Sequence, residues 1–280
     1  MILRHGTATV QFATVGEMLI DTHCHLDLPA FDADREEVIA RAGASGVVGM
    51  LIPAIRPRTW DALRAIAARH RDAGMRYAIG IHPQIVPELD PDELDLATLE
   101  QRLADAATAA SGGNSAVAIG ECGLDGATAQ PELQEQIFRA HVRVARALGK
   151  PLVVHVLRAH DIAPRILREE RAAGGVLHSY SGGADLVSVY ADLGMAFSLA
   201  GPITYANARR PVEAARVIPE ELLLAETDAP DQAPHAHRGS RSEPAFLSDV
   251  IVGLGVARGV MPRDIAELTS ANARRIFATW

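Results

Sequence analysis

The sequence predicts a single (β/α)8 TIM barrel, and three observations carry that reading. Apolar runs of strand length recur eight times, near residues 19, 49, 78, 118, 153, 176, 197 and 224. Each run is followed by a stretch with helical periodicity. Histidines and carboxylates stand repeatedly at the ends of the runs, where barrel enzymes assemble their sites. The count favours a barrel over a six-stranded open sheet.

Taken in order, residues 1–17 show no periodicity and are read as an extension outside the barrel, with Met18 as an alternative initiator. The single domain is assigned to residues 18–280. Met18, Leu19 and Ile20 begin the first strand, which leads into Asp21, His23 and His25. Alternate residues of a strand share a face, so His23 and His25 are expected to point the same way and Cys24 the other. ADREEVIARAGASG then reads as an amphipathic helix ended by Gly43 or Gly46, its acidic start suiting a helix N-terminus. VVGMLIP (47–53) is a buried parallel strand. A helix is expected at about 57–73, followed by the strand YAIGIHP with His82 at its end, and a helix at about 92–110. SGGNS (111–115) is a loop, and VAIGECGLD carries Glu121 on the fourth strand.

A long helix at about 131–149 precedes PLVVHV, with His155, and GGVLHSYSG follows with His178. Helix 184–193, the strand MAFSLAG, a connection through 207–216 and the strand LLLAETDAP bring the chain to Asp228. Helices near 244–258, 263–269 and 272–278 close it.

Composition narrows the class. The chain has 280 residues, 48% of them apolar and 22% charged, which suits an ordinary globular protein. No apolar run is long enough to span a bilayer, and no signal peptide is visible, so no membrane partner is expected and a cytoplasmic monomer is. Two cysteines, Cys24 and Cys122, offer no disulfide framework and are read as buried thiols. The net charge of −8 argues against a long basic track for duplex nucleic acid, though not against a nucleic-acid end held at a metal.

The six side chains His23, His25, Glu121, His155, His178 and Asp228 all fall at one rim of the predicted barrel. Four imidazoles and two carboxylates can hold two divalent cations, and magnesium, manganese and zinc all suit such a set. A bridging Glu121 would serve both, with His23, His25 and Asp228 on one side and His155 and His178 on the other. Two ions about 3.5–4 Å apart activate water and polarise both the entering and leaving oxygens of a phosphoester. Asp228 and Glu121 are therefore the catalytic candidates.

The ordered motifs DTHCHLD, GIHP, GECGLD, VVHV, LHSYSG, GPIT and ETDAPDQAP resemble the TatD family of metal-dependent hydrolases over residues 18–280. The resemblance implies an amidohydrolase-like barrel, a two-metal site on the six residues above, and hydrolysis of phosphodiesters in DNA from a 3′ end. The sequence departs from the family pattern around the substrate. Gly126 follows Asp125 where an aromatic is usual, Gln84 stands where histidine is common, and Ser242 replaces a frequent asparagine. Leu157 occupies the place of a common arginine, with Arg158 one residue later.

His82 and Arg158 are the candidate substrate contacts. Glu226 is expected either to orient a ligand or to pair with a base, and Asp27 and Asp125 to cap or orient. His160, His235 and His237 are read as solvated loop residues, and His70 and His141 as structural. Two other readings stay open: hydrolysis of another ester or amide, such as an aminoacyl-tRNA ester, and metal binding without turnover.

Overall fold

A computed structural model describes residues 18–109 and 115–280; the expected 1–17 extension and most of the 111–115 loop lie outside them. Eight parallel strands alternate with helices: β1 (Leu19–Asp21), α1 (Arg35–Ala44), β2 (Val47–Pro53), α2 (Trp60–Arg69), β3 (Met75–Ile79), α3 (Leu99–Thr108), β4 (Ala118–Asp125) and α4 (Pro131–Leu148) make the first half. The second half comprises β5 (Leu152–Leu157), α5 (Ala163–Glu169), β6 (Gly175–Leu177), α6 (Val187–Ala191), β7 (Met195–Leu199), α7 (Arg209–Val217), β8 (Leu223–Ala225), α8 (Leu247–Arg258) and α9 (Pro262–Phe277). The strands pair in sequence order from β1 to β8. The barrel closes just beyond the last strand, where Thr22 N–H donates to Ala225 O at 3.2 Å and Asp228 N–H to His23 O at 2.9 Å.

Inside, each strand contributes one small or branched side chain to a single layer: Ile20, Leu51, Ala78, Ala118, Val153, Val176, Ala196 and Leu224. A parallel strand buried on both faces needs such apolar residues on its inner side as well as its outer one. Ala273 and Phe277 of α9 join this layer. The Asn272 amide donates to Glu220 O (2.7 Å) and Leu223 O (2.9 Å), and Trp280 Nε1 to Gly74 O (2.5 Å). Those acceptors precede or begin β3 and β8, so α9 plugs the end of the barrel opposite the strand C-termini. The expected break at 270–271 is absent, since neither Ser270 nor Ala271 interrupts a helix and Asn272 spends its side chain on the barrel rather than on capping.

α3 starts at Leu99, later than the periodicity suggests. The preceding acidic stretch is pulled out of helical form. Glu93 is buried against the Arg56 guanidinium, and Asp95 accepts from Ala97 N–H and the Thr98 hydroxyl. Among the described residues no single helix is long and apolar enough to cross a membrane.

His141, on the buried face of α4, ties the helix to the chain just after β3. Its Nε2 accepts from Ile81 N–H at 3.0 Å, which leaves Nδ1–H to donate to Ile137 O at 2.7 Å. Full burial pushes its pKa down to about 4, so the folded protein holds it neutral. An unfolded chain takes up this proton near pH 6.5 while the folded one does not, so stability is lost as pH falls from 6.5 toward 4. The contribution is roughly 3 kcal/mol across that window. Urea unfolding at successive pH values should show a shallower acid loss for His141→Leu than for the parent. The same variant, with Ile81 N–H left unpaired, should be about 1–3 kcal/mol less stable at pH 8.

Candidate metal centre

Glu121 sits in the middle of β4, not at its end, and is fully buried. It reaches the barrel mouth because β4 bulges. Ile119 lies opposite Leu152 and Cys122 opposite Val154, so three steps on β4 meet two on β5. A bulge re-aims a side chain and lets the strand continue. Gly120 and Gly123 flank it with φ of 150° and 131°, and a Cβ on either would stand 2.4 Å from Val153 O or 2.0 Å from His155 O. The glycines of GECG are thus required by the close approach of β5.

His23 and His25 lie beyond β1, and the expected strand alternation is maintained by β2 on one side and by the chain after β8 on the other. Cys24 N–H donates to Leu51 O, and His25 N–H to Ala229 O. The two Nε2 atoms come within 3.1 Å of each other, and Cys24 turns away with its thiol on Leu51 O. Cys122 does the same on Val153 O, and both thiols are free and buried. Asp21, unassigned by sequence reasoning, is the clamp here. Its carboxylate accepts from His23 N–H, Thr227 N–H and the Thr227 hydroxyl, joining the ends of β1 and β8. Burial pushes its pKa up to about 7. Asp228 follows in a left-handed conformation, φ 53°, with its carboxylate held by the Gln232 amide.

The two oxygens of Glu121 face different groups. Oε2 lies 3.0 Å from His23 Nε2 and 3.5 Å from His25 Nε2, and both these nitrogens are 3.7 Å from Asp228 Oδ1. Oε1 lies 2.8 Å from His178 Nε2, 2.8 Å from His82 Nε2 and 3.4 Å from His155 Nδ1. Neither oxygen receives a hydrogen bond of acceptable geometry from these nitrogens. Buried acceptors converging on common points fit a cation, and the imidazole–carboxylate mixture suits a divalent one. One atom each from His23, His25 and Asp228 lie within 4.8 Å of one another, as do atoms from His82, Glu121 and His155. A third, overlapping triad joins His23, His178 and Glu226.

Burial alone would raise the Glu121 pKa, but His178, His82 and His23 outweigh it and hold the carboxyl well below its usual range. Conversely, burial opposes charge on His178, yet Glu121 and Glu226 raise its pKa well above normal. Burial, with His23 adding, pushes His25 down to about 3, and burial raises Asp228 to about 6 against the pull of His178 and His23.

A family model for TatD related DNase matches residues 20–278. The chain belongs to the TatD family of metal-dependent hydrolases. It is 34% identical over 266 residues to the uncharacterized metal-dependent hydrolase YabD of Bacillus subtilis (strain 168), covering 93% of this chain and 99% of that one. It is 35% identical over 267 residues to the uncharacterized metal-dependent hydrolase YcfH of Escherichia coli (strain K12), covering 92% and 95%. The crystal structure of YjjV, a TatD homologue from Escherichia coli K12, superposes with a TM-score of 0.83 at 28% identity, over 94% of this chain and 98% of that one.

Around the six candidate ligands, further groups hold some of them in place. His178 Nδ1 faces Glu226 Oε1 at 3.4 Å, and Glu226 also accepts from Ser179 N–H. His155 turns its Nε2 to Asp125 Oδ2 at 3.1 Å, so it presents Nδ1 to the centre where its neighbours present Nε2. Asp125 is anchored by Gln84 Nε2 (2.7 Å) and Ala127 N–H (2.8 Å). These bonds, the His155 one foremost, keep the Asp125 carboxyl well below its normal pKa. Gln84, noted in the sequence as a departure from the TatD pattern, therefore supports the centre.

The centre opens into a cavity of about 630 Å³ whose wall includes Gln84, Glu88, Ser181, Asp231 and Gln232. His82 stands inside it, against Glu121. Arg158 does not line it: the chain turns left-handed there (φ 53°) and the side chain is exposed. Asp27 is half-buried, its pKa raised to about 6 by desolvation, and it stays outside the ligand triads. Two histidines expected in solvent are not. His160 is half-buried between the Tyr190 hydroxyl (2.9 Å) and Ser181 Oγ (3.1 Å), and His237 stacks on Phe246 at 3.6 Å. His235 is exposed, while His70 is buried near Glu36.

Asp125→Ala should release His155 and weaken binding of one divalent ion by about 10–100-fold. Competition titration of zinc or manganese against a chelator reads this directly, with the melting curve as a folding control. Unchanged affinity at both positions would remove Asp125 from the support of the centre.

Proposed function

We propose that this protein is a two-metal phosphodiesterase that trims DNA from a 3′ end. The observation that carries the reading is the division of labour at Glu121, whose two oxygens each face their own ligand group. His23, His25 and Asp228 would hold one cation, His155 and His178 the other, and Glu121 both. Divalent ions held there supply Lewis-acid activation of water and neutralise charge on a phosphoryl group. The side chains do the rest. Asp228 accepts the proton of the attacking water, with Gln232 fixing its second oxygen. His82, beside Glu121 and open to the cavity, hydrogen-bonds a phosphoryl oxygen. Glu226 and Asp125 keep His178 and His155 turned toward the centre. The family description as a TatD related DNase supports the choice of DNA.

One observation favours a second reading, hydrolysis of a carboxylic ester such as an aminoacyl-tRNA ester. Among the described residues no lysine or arginine lines the cavity, whereas Glu88 and Asp231 do. An ester carbonyl needs no cationic clamp beyond the metals.

Elemental analysis of the purified protein, with turnover measured on 3′- and 5′-blocked oligodeoxynucleotides and on a carboxylic ester panel, separates the two. Blocking the 3′ end should abolish release of nucleotides and blocking the 5′ end should not. Glu121→Gln should lose at least one ion and lower kcat/KM by about 100-fold or more. Two ions retained with full turnover would defeat the bridging role. Asp228→Asn, which keeps an oxygen for a cation but is a poor base, should lose more rate than metal. Parallel losses would leave it a ligand only.

A further inference from the structure

Among the described residues no lysine or arginine lines the metal cavity, yet guanidinium groups that form no ion pair stand near its wall. Arg210, at the start of α7, is exposed, and its one polar contact among the described residues is Nη1 to Ser181 O at 3.4 Å. Ser181 is a wall residue of the cavity. Arg238, in the loop after β8, is also exposed and lies over the Tyr205 ring, 5.1 Å from its centroid. The Tyr205 hydroxyl donates to Ala233 O at 2.8 Å, next to Gln232, another wall residue that holds Asp228. Neither guanidinium forms an ion pair among the described residues. Arg241, three positions further on, is by contrast locked onto Asp34 at 2.8 and 2.7 Å and onto Glu243 at 3.0 Å.

An arginine without a carboxylate partner, beside a phosphodiesterase centre, has its full fork of donors available for a phosphate. The ring under one of them backs its guanidinium, whose exposed plane is a platform on which a base can stack without regard to sequence. We infer that Arg210, Arg238 and Tyr205 form a ledge on the β6–β8 side of the mouth that grips single-stranded polynucleotide upstream of the end being cleaved. The inference rests on the phosphodiesterase reading and extends it. The terminal phosphodiester enters the acidic cavity, and the strand behind it crosses the ledge. A duplex presents its bases stacked inside and leaves the Arg238–Tyr205 platform unused, so single strands are the preferred ligand. Arg158, beyond β5, is equally exposed, but no aromatic ring lies under it among the described residues.

The test measures anisotropy of fluorescein-labelled dT12 and dT2, with 3′-terminal phosphorothioate linkages that resist cleavage, on metal-loaded protein at several salt concentrations. Wild type should bind dT12 at least tenfold more tightly than dT2. Arg210→Ala and Arg238→Ala should each weaken dT12 about five- to tenfold, and each should flatten the log–log salt slope by roughly 0.7. Hydrolysis of bis(p-nitrophenyl) phosphate, too short to reach the ledge, should stay within twofold and reports that the variants are folded. Length-independent binding, or a double variant that binds dT12 like wild type, would overturn the ledge. So would a loss confined to Arg158→Ala, since the strand would then leave over β5. Salt-sensitive dT12 binding on the ledge, with neither unmodified dT12 nor bis(p-nitrophenyl) phosphate hydrolysed, would uphold the ledge as a strand-binding surface and defeat the phosphodiesterase reading.

Discussion

Everything at the mouth of this barrel is arranged around one buried carboxylate. Glu121 is fully sequestered from solvent, and a carboxylate in such a place is tolerable only if positive charge or strong donors surround it. Five imidazoles from four segments supply the surroundings, and each has to be held against its own cost of burial. That requirement accounts for the outer ring, in which Asp125 and Gln232 bond to residues that face the centre and Glu226 sets its charge beside His178. It also accounts for the bulge in β4, without which Glu121 would lie out of reach. Polar groups that would destabilise an ordinary core are here gathered in layers around Glu121, whose own two oxygens are left for a cation.

The scaffold meets this demand by dividing its two ends. One layer of apolar side chains, one from each strand, separates the centre from the α9 plug. The plug end makes few chemical demands, so it is sealed by Phe277 and Trp280 and by backbone acceptors. The other end is assembled from short loops whose positions are fixed by backbone hydrogen bonds between neighbours, such as His25 N–H to Ala229 O. Rigidity at the rim comes from the extension of sheet-like pairing past the strands themselves.

Much of this was legible in the sequence because each strand announces itself by an apolar run and each ligand by its place at the end of one. The eight strands all fall where those runs lie, and the six proposed ligands do converge. What was not legible depends on partners distant in the chain. Asp21 gives no local sign that it will clamp Thr227, some two hundred positions away, although an aspartate two residues before a histidine is a pattern worth weighing. His160 looked like a loop histidine because Tyr190 and Ser181 approach it only in the folded barrel. Arg158 looked well placed by spacing, but a left-handed turn after β5 carries it out of the cavity. Glu93 fits a helical pattern and is diverted by Arg56, a tertiary contact that outweighs propensity.

The seam between the first and last strands has a bearing on how the molecule fails. There the ring is drawn shut largely by Asp21, Thr22 and Thr227, and the same few residues hold His23 and Asp228 in place. A barrel opens most readily where its pairing is weakest, and β8 and β1 form no strand ladder with each other, only the bonds at and just beyond their ends. Breathing of the scaffold at that point would pull one half of the centre away from Glu121 while the β5 and β6 half stayed put. Opening of the scaffold there and loss of the centre's geometry would then be a single event.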